Sequence, residues 1–140
     1  MINFDNYLNT DYIFYLEGIQ YRKLQPAASN TSLRLACQDH LDADTSEAGK
    51  LKLTFTRKLT FEPAGIYELT VSYGAAATIN AQGLTEVDWK NINAADEIRN
   101  GNCTLLNNLI SRTSLQIGQI TSSSGQAPVI TPPGIARPRQ

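Results

Sequence analysis

The chain has 140 residues, of which 41% are hydrophobic and 18% charged, and its formal net charge at pH 7 is −1. This length and composition are typical of one globular domain that buries a core without disulfides, and they argue against disorder or a fibrous repeat. The near-neutral charge gives no support to nucleic-acid binding. We therefore expect a single domain over residues 1–140, with flexible ends at 1–10 and 136–140.

The sequence contains no signal for a membrane or for export of the chain itself. No stretch approaches the roughly 18 apolar residues of a membrane span. The N-terminal MINFDNYLNTDY lacks the basic region and apolar run of a signal peptide. A cytoplasmic location is expected, and Cys37 and Cys103 are then most simply small buried side chains.

Four segments show the residue alternation of β-strands. The clearest is LKLTFTRKLTF, residues 51–61, in which leucine and phenylalanine alternate with lysine and threonine, so that one face is dry, apart from one arginine, and the other wet. The turn residues Glu62-Pro63-Ala64-Gly65 predict a hairpin directly after it. Together these patterns predict strands at residues 12–24, 32–41, 50–62 and 66–80.

One residue interrupts the dry face of the third predicted strand. Arg57 stands where the alternation calls for an apolar side chain. A bulge, a snorkelling stem or an ion pair would each accommodate it. Of these three, we favour the bulge or the snorkelling stem.

Beyond Gly83 the periodicity becomes helical. Thr85-Glu86-Val87-Asp88 resembles a capping box and predicts the start of a short helix that Asn100-Gly101-Asn102 ends. A second helix is predicted from about Thr104 to Ser122. At 1.5 Å per residue it would be about 30 Å long.

The long predicted helix contains several small residues, among them Ser111, Ser114 and Gly118. A glycine in a helix costs about 1 kcal/mol relative to alanine, so its presence points to the close approach of another part of the structure. Two interpretations stay open with equal weight. The small residues serve a subunit interface, or they allow tight packing on the chain's own sheet.

The residue types that commonly act in catalysis form no recognisable site in this sequence. His40 is the one histidine, and its strand parity is opposite to that of Cys37, which argues against a Cys-His nucleophile pair. The hypothesis of a hydrolase is supported only by these two residues and the nearby aspartates. The sequence also lacks the glycine-rich nucleotide motifs and paired cysteine doublets. We expect no enzymatic activity and no cofactor.

A group of acidic residues surrounds His40 in the sequence. Asp39, Asp42, Asp44 and Glu47 lack the glycine and carboxylate spacing of a calcium-binding loop. We interpret them as a solvated acidic connection. No bound metal is expected.

Three stretches carry a resemblance to a known family. They are Phe14-Tyr15-Leu16-Glu17-Gly18-Ile19-Gln20-Tyr21, the hairpin from Leu51 to Tyr73, and Leu109-Ile110-Ser111-Arg112 leading through Gly125 to Pro128-Val129-Ile130-Thr131-Pro132-Pro133. In order and spacing they resemble the SecB-like protein-export chaperone family, over roughly residues 12–135. The resemblance implies an α+β fold: a four-stranded antiparallel Greek-key sheet with one long helix packed on it.

In that fold the first and second strands are the outer strands and are joined by a crossover. Passing two intervening strands requires about 14 Å at roughly 4.8 Å per strand step. The stretch from Gln25 to Thr31 reaches about 24 Å when extended. The sequence is therefore compatible with the crossover that the resemblance implies.

The resemblance also implies a function. The family holds unfolded polypeptides without ATP, in apolar grooves near the crossover and the helix ends. On this basis we expect a cytoplasmic holdase that binds unfolded polypeptides, for protein export. We expect it neither to bind nucleic acid nor to insert into a membrane. Ordinary core packing is an equally good interpretation of Ile13 and Ile19. The expected client-binding residues are Ile13, Tyr15, Ile19, Tyr21, Leu24, Ile130 and Ile135.

The family assembles as a tetramer through its long helices. The interface residues expected here are Leu106, Ile110, Thr113, Ile117, Gly118 and Ile120.

Two departures argue against the translocase motor SecA as a partner. Export members present acidic residues to SecA, whereas the wet face of the third predicted strand carries Lys50, Lys52 and Lys58. Those members also continue into a further helix, whereas this sequence ends at Gln140. The alternative function is therefore a dedicated SecB-like chaperone or adaptor for one client, such as the antitoxin of a toxin–antitoxin pair.

Overall fold

The computed structural model describes residues 1–25, 32–123 and 128–135. In chain order the elements within these ranges are a 3-10 helix (Phe4–Asn6), strands β1 (Ile13–Lys23), β2 (Arg34–Asp44), β3 (Lys50–Glu62) and β4 (Tyr67–Thr78), and helices α1 (Ala81–Glu86), α2 (Ala94–Asn100) and α3 (Thr104–Ser122). Residues 128–135, which follow α3, are called the prolyl segment below.

The described strands form one antiparallel sheet in the order β1-β4-β3-β2. The first two strands of the chain thus lie at opposite edges, and the predicted α+β Greek-key fold is confirmed. The predicted bounds of β3 and α3 are also confirmed, whereas β2 runs three residues further than expected, to Asp44. Most of the crossover, residues 26–31, lies outside the described residues.

The sheet has one dry face and one wet face, as the alternation in β3 predicts. Leu51, Leu53, Phe55 and Leu59 are completely buried beneath α3, which packs on β4 and β3. We call this side the helix face. Threonine and lysine side chains of β3 occupy the other side, the open face, where they are partly or fully exposed. Burial of the apolar side chains drives the helix onto the sheet.

The first ten residues belong to the core. Phe4 and Leu8 are buried, and the Phe4 N–H donates to the carbonyl of Asn102 at 2.7 Å. The expected flexible arm at residues 1–10 is therefore wrong, because two large apolar side chains in it gain more from burial than from exposure to water. The other expected flexible end, residues 136–140, lies outside the described residues.

Two short helices stand where one was predicted. The Asn80 side chain accepts from the Gly83 N–H at 2.8 Å and starts α1, so Thr85 lies inside that helix and does not begin a new one. Asn93 caps α2 in the same way. Asparagine is as good an N-cap as serine or aspartate, and these caps decide the boundaries. The predicted end at Asn100 is confirmed.

A bulge interrupts β1. Leu16 pairs with Tyr73 of β4, but the next paired residue is Gly18, opposite Ser72, so Glu17 is the extra residue. A one-residue slip moves every later side chain to the other face of the sheet. On the helix face, β1 therefore has even-numbered residues before the bulge and odd-numbered residues after it.

Candidate functional site

Part of the helix face of β1 is not covered by α3. This strand forms an edge of the sheet, and the helix packs on β3 and β4. Three large apolar side chains are left uncovered there, with 45% of Leu16, 39% of Ile19 and 52% of Tyr21 exposed. We call these three residues the β1 strip. An uncovered apolar strip of this kind marks a binding surface more often than a scattered exposed leucine does.

The bulge at Glu17 divides the client-binding residues expected in β1. Ile19 and Tyr21 follow the bulge and lie on the helix face, opposite Val71 and Leu69. Ile13 and Tyr15 precede it and lie on the open face. These four residues therefore do not line one groove within the chain, because the bulge places them on opposite faces of the sheet. Leu16, which is not among the expected residues, joins the strip instead.

Tyr15 lies flat across the open face. Its ring covers Gly74 of β4, and a Cβ atom on that glycine would overlap the ring. Glycine is therefore the residue that permits the ring to lie against the sheet. Tyr15 is separated from the β1 strip by the thickness of the sheet.

An aromatic cluster extends the β1 strip towards the hairpin. The Tyr21 ring lies 5.5 Å from that of Tyr67, which meets Phe61 edge to face at 5.1 Å. Ile120 of α3 packs against the same cluster. Burial raises the pKa of Tyr67, with a smaller contribution from Tyr21, so its hydroxyl stays neutral at physiological pH.

Arg112 of α3 lies at the other end of the strip. Its guanidinium lies over the Phe14 ring, 4.1 Å from the centroid, which is cation–π geometry. Arg112 therefore lies on the flank of α3 that faces β1. The strip is thus limited by an arginine at one end and by aromatic rings at the other.

The remaining expected client-binding residues lie elsewhere. Leu24 is half-buried just beyond β1, where its N–H donates to the carbonyl of Ile66 at 2.9 Å. Ile130 and Ile135 belong to the prolyl segment; Ile130 is 85% exposed, whereas Ile135 packs against the core. The structure therefore brings only Ile19 and Tyr21 of the expected set into the strip.

Arg57 is completely buried and forms an ion pair. Its Nε and Nη2 atoms each donate to one carboxylate oxygen of Asp39 in β2, both at 2.8 Å, and both side chains are inaccessible to water. The pairing of β3 is continuous on both sides at this residue. The favoured bulge and snorkelling interpretations are therefore wrong. A fork-shaped pair of this kind is among the strongest interactions that a buried arginine makes.

The other N–H groups of Arg57 hold the prolyl segment. Nη1 donates to the Ser114 hydroxyl of α3 at 3.1 Å, to the Thr131 hydroxyl at 2.8 Å and to the Pro132 carbonyl at 2.9 Å. Nη2 donates to the Gly134 carbonyl at 2.9 Å. One side chain therefore ties together β2, β3, α3 and the prolyl segment.

The prolyl segment also contacts α3 directly. The Val129 N–H donates to the Thr121 hydroxyl at 2.8 Å. A Cβ atom on Gly118 would lie 3.9 Å from Pro128 Cβ and from the Val129 carbonyl oxygen. The close approach that this glycine indicates is thus made, in the chain itself, by the prolyl segment.

Comparison with known proteins rests on the fold. No protein-family model matches the chain, and no curated protein matches it in sequence. Among solved structures, the SecB-like chaperone Rv1957 of Mycobacterium tuberculosis, in complex with a ChAD peptide from the HigA1 antitoxin, superposes with a TM-score of 0.62 over 89% of this chain and 88% of that one, at 10% identity. The fold is SecB-like.

The interface residues expected for a SecB-like tetramer are mostly buried within the chain. Leu106, Ile110, Thr113 and Ile117 lie on the side of α3 that packs against the rest of the chain, and they are at most 5% exposed. Gly118 and Ile120 are half-buried. The expected interface stays a prediction, and only its half-buried members keep surface for a partner. Leu115, which is not among the expected residues, is 65% exposed on the side of α3 away from the sheet.

The SecB-like sheet separates the residues considered for catalysis. Cys37 lies on the helix face, and burial raises the pKa of its thiol to about 11, with Asp39 raising it and Arg57 lowering it by smaller amounts. His40 is exposed on the open face, where its Nε2 lies 3.0 Å from Asp42. The expected solvated connection is wrong for Asp39, because β2 continues through it and turns its side chain to Arg57.

Within the described part of the chain, no group of three or more His, Cys, Asp or Glu side chains is placed to hold a metal ion. None of the helices described is long and apolar enough to cross a membrane.

Proposed function

We propose that the protein is an ATP-independent chaperone that holds unfolded polypeptide on the β1 strip. The observation that carries this proposal is the row of three large apolar side chains left uncovered beside α3. The SecB-like fold supports it, since the neighbour of the same fold is a chaperone in complex with a peptide. No residue of the strip is charged, so the surface accepts apolar segments of many sequences.

The ends of the strip suit a client that varies in sequence. Tyr21 offers an apolar ring and a hydroxyl that tolerates water, and it continues into the cluster with Tyr67. Arg112 places a cation beside the other end. An apolar client segment followed by an acidic or polar residue therefore fits this surface.

We further propose a homotetramer, as in the family that the sequence resembles. The uncovered Leu115 and the half-buried Ile120 supply apolar surface on α3 for it. SecA is not part of the proposal. The open face presents lysine side chains, two of which, Lys50 and Lys52, lie 3.8 Å and 3.2 Å from Glu47.

A second candidate is a chaperone dedicated to one client. It is favoured by the neighbour's ligand, which comes from an antitoxin. A general holdase slows the aggregation of several unrelated unfolded proteins. A dedicated chaperone slows none of them at the same ratio, so a panel of unfolded clients separates the two candidates.

The proposal is tested by placing a charge in the β1 strip. Ile19→Asp is expected to raise at least tenfold the concentration needed to halve the aggregation of an unfolded client, because a carboxylate cannot be desolvated against an apolar segment. The measurement is light scattering of the client with increasing amounts of chaperone. Circular dichroism and urea unfolding check that the variant is folded.

The matched control is the neighbouring residue. Gln20 is exposed and lies on the open face, opposite Thr70, so Gln20→Asp adds the same charge one residue away on the other side of the sheet. This variant is expected to match the unmodified chain. Equal activity of both variants would show that the β1 strip does not bind clients.

A further inference from the structure

A second surface in the molecule already binds an extended peptide, namely the chain's own prolyl segment. It is formed by Arg57 of β3 and by Ser114, Gly118 and Thr121 of α3, and we call it the Arg57 groove. Ser114 and Thr121 lie on one flank of α3, and Arg112 on the other flank faces β1. The Arg57 groove is therefore separate from the β1 strip.

The groove contacts mainly the backbone of the segment. Arg57 donates to the carbonyls of Pro132 and Gly134, and Thr121 accepts from the N–H of Val129. Every polypeptide offers these groups at similar spacing when it is extended, since proline itself keeps its carbonyl. Recognition of this kind depends little on side-chain identity.

One side chain of the segment is an exception. Thr131 is only 6% exposed, and its hydroxyl accepts from Arg57 at 2.8 Å and donates to Ser114 at 2.9 Å. The other side chains of the segment contribute less, since Pro128, Ile130, Pro132 and Pro133 are exposed. The groove therefore selects a small hydroxyl residue at one position and tolerates varied neighbours.

The polar groups of the groove are positioned without help from the segment. Two N–H bonds to Asp39 fix the plane of the Arg57 guanidinium, which also lies 5.2 Å from the centre of the Phe55 ring. Ser114 and Thr121 are held by helix α3. A surface whose polar groups are fixed in advance binds a ligand without the entropic cost of ordering them.

We propose that the Arg57 groove is a polypeptide-binding site that exchanges the prolyl segment for an extended segment of another chain carrying threonine or serine before a proline. The resident segment is tethered, so a free peptide competes against an effective concentration of the order of millimolar. The site is therefore filled in the free protein and opens to a second chain when the hold on Thr131 is weakened.

The test uses a fluorescent peptide with the sequence of the prolyl segment, Pro-Val-Ile-Thr-Pro-Pro-Gly-Ile. Thr131→Val in the full chain removes the buried hydroxyl at nearly constant volume, which weakens the resident ligand. Fluorescence anisotropy is expected to show about tenfold tighter peptide binding by this variant than by the unmodified chain, since one such interaction corresponds to roughly a factor of ten.

Two controls accompany the measurement. Thr54→Val makes the same change on the open face and is expected to leave peptide binding at the unmodified level. A peptide with valine in place of its threonine is expected to bind Thr131→Val about tenfold more weakly than the threonine peptide does. Failure of Thr131→Val to bind the peptide, or equal binding of both peptides, overturns the proposal.

A measurement on the unmodified chain decides the matter if Thr131→Val does not fold. Hydrogen exchange of the Val129 amide is expected to be at least a hundredfold faster than that of amides in the middle of α3, since exchange of the segment requires local opening. Equal protection of both overturns the proposal. The gain in peptide affinity from Thr131→Val is expected to persist in an Ile19→Asp background, so the outcome does not depend on the chaperone function of the β1 strip.

Discussion

At the scale of single residues, the burial of Arg57 is the most costly feature of the chain. Removing a guanidinium from water costs several kcal/mol unless its N–H groups find acceptors. Here the carboxylate of Asp39 balances the charge, and hydroxyl and carbonyl oxygens take the remaining N–H groups. Among the described residues no buried side-chain nitrogen or oxygen lacks a partner. The arginine is thus fully compensated, but only while all its partners stay in place.

Asp39→Ala is expected to lower the free energy of unfolding by about 3–5 kcal/mol, since it leaves a buried guanidinium without its counter-charge. Urea unfolding followed by circular dichroism measures the change. Asp42→Ala is the control, because Asp42 is exposed and bonded only to His40; it should change stability by less than about 0.5 kcal/mol. Similar effects of the two substitutions would contradict the assigned role of the ion pair.

The raised pKa of Cys37 gives a second prediction at this scale. With a pKa of about 11 in the folded chain and 9.0 as the ordinary value, about one thiol in a thousand is ionised at pH 8, against about one in ten after unfolding. Alkylation by iodoacetamide in a Cys103→Ala background should therefore be about a hundredfold slower in the folded state. A fast reaction would indicate an activated thiol.

The same shift determines a pH dependence. The unfolded chain releases the thiol proton near pH 9 and the folded chain only near pH 11. The unfolded state therefore binds fewer protons between these values, and stability falls as pH rises through this window. Below pH 9 the thiol is neutral in both states and contributes no pH dependence.

At the scale of elements, α3 has two functions on two of its sides. Its apolar side, with Leu109 and Ile117, is completely buried against the sheet. An adjoining flank carries Ser114, Gly118 and Thr121, whose small or hydroxyl side chains receive the prolyl segment. Small residues in a helix are therefore explained by a neighbour within the same chain.

Gly118→Ala is expected to raise the free energy of unfolding by up to about 1 kcal/mol, because alanine favours the helix and its Cβ would meet the segment at an ordinary 3.9 Å. Gly118→Leu is expected to lower it by about 1–3 kcal/mol by pushing the segment away. Thermal unfolding of the pair measures both. Destabilisation by alanine would show that a closer neighbour approaches this position.

The element β1 shows how one extra residue redistributes a surface. The bulge at Glu17 turns Ile19 and Tyr21 to the same side as Leu16. Without the bulge these side chains would continue on the open face beside Ile13 and Tyr15. The apolar strip proposed to bind clients therefore depends on a local irregularity of the strand.

At the scale of the whole molecule, the exposed Leu115 is the residue on which the proposed assembly can be tested. The proposed homotetramer has a mass four times the 15.4 kDa of the chain, which light scattering measures directly. Leu115→Asp is expected to shift that mass to smaller species, because a charge on uncovered α3 surface opposes burial in an interface. Leu84→Asp is the control, since Leu84 is equally an exposed leucine but lies in α1. An unchanged mass with Leu115→Asp would place the interface elsewhere.

The sequence determined the elements and their order well. The alternation in residues 51–61 and the helical stripe after Thr104 are local patterns of period 2 and 3.6, and each depends only on which side chains avoid water. The resemblance in order and spacing supplied the Greek-key arrangement. The elements, but not their arrangement in the sheet, follow from local sequence, because the hydrophobic pattern and the backbone period are both local.

Only the tertiary structure decided the candidate site. An isolated Arg57 in a dry stripe does not reveal its partner, since Asp39, Ser114 and the prolyl segment are 18, 57 and more than 70 residues away along the chain. The slip at Glu17 likewise depends on pairing with β4. The sequence thus specified which side chains are apolar and in which elements they lie. The three-dimensional packing specified which of them meet, because contact between distant residues depends on register and docking and not on local pattern.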